Sequence, residues 1–535
     1  MKTNFFQPAA CCAFGAALSF YGLTWLYVSS LPPSLALLLF LTPPAVLAAC
    51  FLRPYAAAAF RKKTAPAIPA GPPPPVRAQP GNQLRGFGPG LRFVWNRRPY
   101  AVVCAAFLTA GLLLGFYARR NAFKDSAVFT GLATEKITAV RGVLANDPRS
   151  TKTDRGMAQI SLNRAYSAGG VQTSARGGAL VFFPQGSLPR IKEFGRGSEI
   201  YIEGVFSPLL KESYGWDSTP VFRASSSHVV KGAKKIDSWR TSARLRLVEL
   251  FNSNWGGLSL ALLFGIQDGL DAKIRKQYTE AGCSHILSIS GMHLAIIAAI
   301  IALFLKKPLG LKKAAVTGTC FIFIYVYIVG DGPAIYRSLI MYALGAGALI
   351  AGIPVKPFLL LCISFLIQIT ISPLSALSMS FILSYLALAG ILLFTTKIEV
   401  CFRGFIPPFI LTPVSASIAA FFGTMAVSAV FFEELRPIGI LAGLFITPLT
   451  TFFMVGSMLH PFLTFVPLIS KLAATILNMM YVLLEKISGF SSAFPPAPFA
   501  PTAQVILFSV AAPLAFCFAS DFLLKKRQTV CADVT

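Results

Sequence analysis

The sequence predicts an α-helical polytopic membrane protein with an inserted extracytoplasmic small β-barrel (OB-like) domain. Three observations lead there. Apolar residues make up 55% of the 535-residue chain, and mean hydropathy is +0.65. Long uncharged runs recur through its second half, as expected of segments that cross a bilayer. Between residues 119 and 238 this character gives way to short alternating runs separated by glycine-rich turns, a strand signature. The net charge of +27 is no evidence by itself for a soluble nucleic-acid binder, because much of the excess sits in loops, where positive charge sets orientation. Cysteines fall mostly inside apolar segments, where they act as small buried hydrophobes; residues 119–250 contain none, so that region must fold without a disulfide. No CxxC pair and no Cys/His metal spacing is present.

Residues 1–55 read as a transmembrane hairpin: an apolar run from Cys11 to Val28, a Pro32-Pro33 connection, and a second run from Leu35 to Leu52. A signal peptide is the alternative for the first run, and a retained helix is preferred. Residues 56–98 form a Pro/Gly-rich basic linker with no acidic residue, read as a cytoplasmic loop obeying the positive-inside rule, with a polybasic surface for anionic membrane lipids as the alternative. Residues 99–118 hold the third span.

Residues 119–238 are the extracytoplasmic domain. Ile137–Leu144, Ala158–Leu162, Ala179–Phe183, Glu199–Phe206 and Val221–Val230 read as five strands, which suits a small oligonucleotide-binding-type barrel. Its basic residues Arg141, Arg155, Arg164, Arg176, Arg190, Lys192 and Arg196, with Tyr166, Phe182 and Phe183 nearby, are the candidate contacts to a single-stranded polyanion. A solvated barrel with a basic surface and core aromatics fits the same pattern equally well.

Residues 239–282 read as interfacial helices and a short re-entrant or buried segment. Leu245, Val248 and Phe251 are expected on one side of the first helix and arginines on the other. Residues 283–525 form the membrane bundle, with spans near 285–305, 314–330, 335–351, 357–371, 378–396, 409–431, 438–458, 471–489 and 503–524, and residues 526–535 are the tail. If every run crosses, Lys306, Lys307, Lys312, Lys313, Lys356, Lys397, Arg403, Lys471 and Lys525 share one side, which places both termini in the cytoplasm and the β domain outside.

At the mouth of this bundle lies His285-Ile286-Leu287-Ser288-Ile289-Ser290-Gly291-Met292-His293, which holds two of the four histidines. Polar groups at the end of a membrane helix are costly without partners and are often placed for a purpose. The structural alternative is serines bonded to backbone carbonyls, Gly291 permitting close helix packing, and interfacial histidines.

The run from Leu262 to Ile297 (LLFGIQDGLDAKIRKQYTEAGCSHILSISGMHLAII) resembles the hallmark of ComEC-type competence proteins. Gly330–Arg337 (GDGPAIYR), Ser372–Leu388 and Ala420–Leu449 are similar to further motifs of that family, in the same order. The resemblance implies an inner-membrane channel that passes single-stranded transforming DNA into the bacterial cytoplasm. It implies an extracytoplasmic DNA receptor that delivers the DNA and a cytoplasmic helicase-like ATPase that pulls it, since the chain has no P-loop. Many family members also carry a metallo-β-lactamase-like domain. This sequence has no HxHxDH cluster, so a separate nuclease is expected, and neither metal nor cofactor. Gly443 stands where the family pattern leads one to expect asparagine. The residues assigned to the path are His285, Ser288, Ser290, Gly291, His293, Asp331, Tyr336 and Arg337. Arg337 attracts phosphate or anchors the Gly332-Pro333 break, and Asp331 pairs with Arg337 or another arginine to hold the turn open. A packing role is expected for Ser380 and Ser384. Homo-oligomerisation stays open.

Two other classes compete. A transporter of another anionic polymer or lipid would keep the basic domain and the polar path. A hydrolase would use Ser290 and His293 with Asp268 or Asp271, but no acid is securely placed to orient the imidazole.

Overall fold

The computed structural model describes residues 128–129, 134–151, 155–186, 195–207, 220–372, 375–376, 378–432 and 434–498. The hairpin and third span expected before the β domain, the basic linker, the last span and the tail lie outside these residues, as do Arg190 and Lys192.

The extramembrane domain is built from β1 (Val128–Phe129), β2 (Ile137–Leu144), β3 (Arg149–Ser150), β4 (Arg155–Ser167), β5 (Gln172–Arg176), β6 (Gly178–Gln185), β7 (Glu199–Ser207) and β8 (Val221–Lys231). All five strands read from the apolar alternation are strands, but the fold class needs correction. In place of a five-stranded OB-like barrel the structure has one eight-stranded mixed sheet, ordered β1-β5-β4-β2-β7-β8-β6, with β3 on β4 and a further β4–β6 pairing. The physical reason lies in β1, β3 and β5. They are short or polar (β5 is QTSAR) and carry no apolar alternation to announce them. They join through β4, which at 13 residues is long enough to pair with several neighbours. Ile137, Val140, Leu144, Ile160, Val181, Phe183, Ile200, Ile202 and Phe222 fill the core of this domain.

Helix α1 (Lys235–Leu250) leads to the membrane half. Its orientation differs from the expected amphipathic one. Phe251, just past its end, is buried, whereas Leu245 and Val248 are exposed, and Arg240 faces inward with Arg244. Helix α2 (Gly256–Phe264) is buried along nearly all of its length. A carbonyl of this helix, at Leu263, accepts a 2.5 Å hydrogen bond from the Tyr325 hydroxyl. Helix α3 (Ala272–Glu280) starts at Asp271, whose carboxylate caps the Lys273 N–H at 2.8 Å. It packs on the last described helix through Lys273–Glu485 (2.7 Å) and Gln277–Ser488 (3.3 Å).

Beyond α4 (Ser284–Leu287) come α5 (Gly291–Val329), α6 (Pro333–Ala351), α7 (Pro357–Ile371), α8 (Met379–Phe402), α9 (Pro408–Phe432), α10 (Ile438–Leu463) and α11 (Pro467–Ser492). All but the shorter α7 are long and apolar enough to cross a membrane, six in the described residues. The 39-residue α5 folds back at Gly310, whose φ of 72° is open to glycine without strain. A Cβ placed on Gly318 would lie 3.7 Å from Ile301, and Leu294, Ile297, Ile322 and Val326 share one core, so two arms pack side by side. These arms match the two spans read on either side of the Lys306–Lys313 cluster. α8 and α9 meet backbone to backbone: a Cβ on Gly390 would be 2.4 Å from the Ala419 carbonyl oxygen, and one on Gly423 would be 2.3 Å from that of Leu386. Small residues at such crossings bring membrane helices into close van der Waals contact.

Candidate functional site

The His-to-His motif is a helix-start device. Ser288, in extended conformation, donates to the His285 carbonyl at 3.0 Å, and His285 itself lies exposed. Ser290 is the N-cap of α5 and forms a capping box with His293: the Ser290 N–H donates to His293 Nδ1 at 3.2 Å, and the Ser290 hydroxyl lies 3.0 Å from the same nitrogen. Because Nδ1 accepts from a backbone N–H, the neutral ring carries its proton on Nε2. His293 is fully buried, and Nε2 has no hydrogen-bond partner among the described residues.

This arrangement bears on the hydrolase alternative. Serine and histidine do touch, but as a cap, and among the described residues no carboxylate meets the far nitrogen to orient the ring. Asp271 is occupied as the cap of α3. Among the described residues no group of three or more His, Cys, Asp or Glu side chains is placed to hold a metal ion.

Gly291 opens the first turn of α5 to a neighbour. A Cβ there would sit 2.8 Å from Arg337 Nη2 and 2.8 Å from the Ser338 hydroxyl, so a side chain at this position would have to displace the Arg337 guanidinium from this helix end. Arg337 is 6% exposed. Its Nη1 donates to the Ser384 carbonyl, its guanidinium carbon lies 5.9 Å from the centre of the Tyr385 ring, and its Nε has no partner among the described residues. The Tyr385 hydroxyl donates to Gln368 at 3.0 Å, and Gln368 donates to the Pro333 carbonyl at 3.0 Å, tying α6, α7 and α8 together around this arginine. Ser384 therefore serves through its backbone oxygen rather than through its hydroxyl.

Asp331 does not pair with Arg337. It accepts a hydrogen bond from the Tyr336 hydroxyl and forms a 2.5 Å ion pair with Arg196 of the β domain. Tyr336 and Arg337 are adjacent on α6 yet face different ways, the first exposed towards the β domain and the second buried in the bundle.

A second joint lies beside this one. Asp147, in the loop after β2, meets Arg240 at 2.7 Å and Arg244 at 3.6 Å. The same two arginines donate to the last carbonyls of α5: Arg240 to Tyr327 (2.7 Å), and Arg244 to Ile328 (2.9 Å) and Val329 (2.8 Å). Cations suit these orphan carbonyls at the negative end of a helix. Burial pushes the Asp147 carboxyl pKa upward, but the hydrogen bond and charge of Arg240, with the charge of Arg244, outweigh it and hold the group below the usual carboxylate range. Burial brings Arg244 down to about 10, with Asp147 opposing the shift.

Sequence reasoning missed Asp147, Gln368 and Tyr385, and gave Arg240 and Arg244 only a place on a helix face. Their partners stand far off in the chain, and the one local signal is the i,i+4 arginine spacing.

The basic residues of the β domain do not form one group. Strand register sets Arg141 opposite both Arg164 and Tyr201, on the outward face. Arg141 is paired with Glu199 at 2.9 Å. Tyr166 makes an edge contact with Tyr201 at 5.3 Å. Arg155, Arg164 and Arg176 are exposed on strands, whereas Arg196 turns to the membrane half. Phe183 is a core residue and Phe182 is half-buried, so the first offers nothing to a ligand.

Residues 262–525, which contain the capping box, Arg337 and all six long spans, match the family model described as competence protein. The chain is 23% identical over 130 residues to ComE operon protein 3 of Bacillus subtilis (strain 168). That stretch covers 24% of this chain and 17% of the relative, so the chain spans a minor part of the curated protein that it matches. No solved structure matches. Over residues 262–525, then, this chain is similar to the competence-associated proteins.

Proposed function

We propose that this protein is an inner-membrane channel that passes single-stranded transforming DNA into the bacterial cytoplasm. The observation that carries the reading is a buried cation, Arg337, held at the head of a competence-type bundle with no carboxylate against it among the described residues. An unsolvated phosphate cannot cross hydrocarbon, and intramembrane arginines facing a bundle interior mark ion paths.

The strand meets the β domain first, on the outward face that holds Arg141, Arg164 and Tyr201. It then passes the exposed Arg196–Asp331–Tyr336 group and reaches Arg337, with Ser288, Ser290, Gly291 and the two motif histidines shaping the entrance. Helix directions support the β domain lying outside. The turns carrying Lys306–Lys313, Lys356, Arg403 and Lys471 fall at helix ends remote from the Arg196–Asp331 joint, as the positive-inside rule asks of cytoplasmic loops. An outside receptor delivers the DNA, a helicase-like ATPase pulls it, and a separate nuclease removes the other strand.

The test is uptake of labelled DNA by a deletion strain of a transformable host. Deletion should abolish entry into the cytoplasm while surface binding persists, and wild type should restore entry. Unchanged uptake after deletion would refute the channel and favour another transported anionic polymer or lipid.

A further inference from the structure

Arg337 poses an electrostatic problem that the groups of the described residues leave unsolved. Its guanidinium lies against Gly291, the first residue of α5, where a Cβ would approach Nη2 to 2.8 Å. The start of a helix carries a partial positive charge, roughly half an elementary charge. Arg337 also sits in the second turn of α6, close to that helix's own positive end. A full cation and two helix starts therefore converge in a region shielded from water. Among the described residues, the Ser384 carbonyl and the Tyr385 ring lie against the guanidinium, and the Ser338 hydroxyl borders the same point on Gly291; all three are neutral. Ser338 already donates to the Ala334 carbonyl at 2.8 Å. The nearest acid of the turn, Asp331, is engaged by Arg196 and Tyr336. One donor of the cation, Nε–H, stays buried without an acceptor among the described residues. Burying a charge is tolerated when it is paired and hydrogen-bonded, and here the pairing is incomplete.

The missing component is an anion with oxygen acceptors. We propose that Arg337, the first turn of α5 at Gly291 and the Ser338 hydroxyl form a seat for one phosphodiester group. A guanidinium matches two oxygens of such a group with parallel N–H bonds, and helix starts bind phosphate by the same electrostatics. The need for an anion follows from the geometry. The choice of a phosphodiester as its source rests on the transport reading above. One seat, rather than a row of cations, also suits transport, because a chain bound at many strong sites in the bundle would not leave. Gly291 then has a role that packing alone does not give it: it holds open the approach between cation and helix end.

The experiment uses the full chain purified in a phosphate-free maltoside detergent and follows its thermal unfolding midpoint. Dimethyl phosphate, the smallest phosphodiester, is titrated against chloride at equal ionic strength, since a ligand that binds only the folded state raises the midpoint. Wild type should show a saturable, phosphate-specific rise. Arg337→Gln should weaken the apparent affinity by about tenfold or more, as loss of charged hydrogen bonds implies, and Arg337→Lys should recover part of it. Gly291→Ala, which leaves the arginine in place and pushes a methyl against it, should also lose the response; it keeps the test decisive if Arg337→Gln does not fold. The seat is refuted if wild type responds to phosphate no more than to chloride, or if Arg337→Gln and Gly291→Ala respond as wild type does. Two further ligands separate the source. If a short single-stranded oligonucleotide reproduces the rise and phosphatidylglycerol does not, the seat belongs to DNA. A rise with phosphatidylglycerol alone upholds the anion seat but assigns it to a lipid headgroup, and removes this support from the channel reading.

Discussion

Asp147 and Arg240 meet at 2.7 Å across 93 positions of sequence, and their contact fastens the β domain to the end of a membrane helix. The Arg240 side chain is 3% exposed and that of Asp147 is 20% exposed, so the pair is shielded from screening water. Removing one partner of such a pair strands a buried charge. Asp147→Asn should destabilise the folded protein by about 3 kcal/mol, near the low end for broken buried pairs because the α5 carbonyls still hold both arginines. Thermal unfolding in detergent and membrane abundance are the readouts. A shift within error of zero would show that the carbonyls alone hold the joint.

The same carboxylate makes a prediction about pH. Its folded pKa lies below its unfolded value, which is about 3.9. Its stabilisation is therefore complete above that value and disappears as pH falls through the lower folded pKa. The stability gap between wild type and Asp147→Asn should be constant from neutral pH to about 5 and close progressively below about 4. A gap that widens on acidification would contradict the assigned direction.

Arg196 and Asp331 are a different kind of pair, 38% and 49% exposed. Exposed pairs contribute about 1 kcal/mol or less. Arg196→Gln should leave thermal stability nearly unchanged. On the proposed path it should nonetheless lower DNA uptake several-fold at normal protein level, and it should reduce the sensitivity of uptake to added salt. Uptake equal to wild type would remove Arg196 from the path.

Ser290 caps α5 together with His293. Ser290→Ala should cost about 1 kcal/mol of stability, Ser290→Thr should cost less, and a serine-reactive acylating probe should label neither wild type nor Ser290→Thr. Covalent labelling of wild type at Ser290 would revive the hydrolase reading.

The membrane helices carry a paired glycine test. Gly423→Leu should abolish accumulation of folded protein, since even its Cβ would lie 2.3 Å from a carbonyl oxygen of α8. Gly443→Ala should be tolerated, because among the described residues a Cβ there meets only Thr447 Oγ1, at 3.9 Å. Detergent extraction followed by size-exclusion profiles distinguishes the two.

Much of the fold was legible because burial writes a period into the chain. The five apolar strands and the apolar helices from Gly291 to Ser492 follow that signal, and the lysines near Gly310 mark the fold-back of α5. The strands Val128–Phe129, Arg149–Ser150 and Gln172–Arg176 were not legible, being short or polar, and with them the eight-stranded sheet was lost. The face of α1 was misread for another reason. Arg240 and Arg244 turn inward because the α5 end at Tyr327–Val329 needs donors, a demand set by a helix more than 80 residues away. At the site, the residue types of the motif were visible. Their work was not: which atom of His293 is capped, that Asp331 belongs to Arg196, and that Gly291 makes room for Arg337 are facts of tertiary contact.

The central claim is that a DNA strand passes the head of this bundle, and site-specific photocrosslinking during uptake tests it most directly. A photoreactive residue is placed at Tyr336, beside the proposed path, or at Phe452, which is 69% exposed on the outer face of α10, in transformable cells given labelled DNA. The account predicts a single-strand DNA adduct at position 336, dependent on active uptake, and none at 452. No adduct at 336 under conditions of efficient uptake, or equal adducts at both positions, would contradict it.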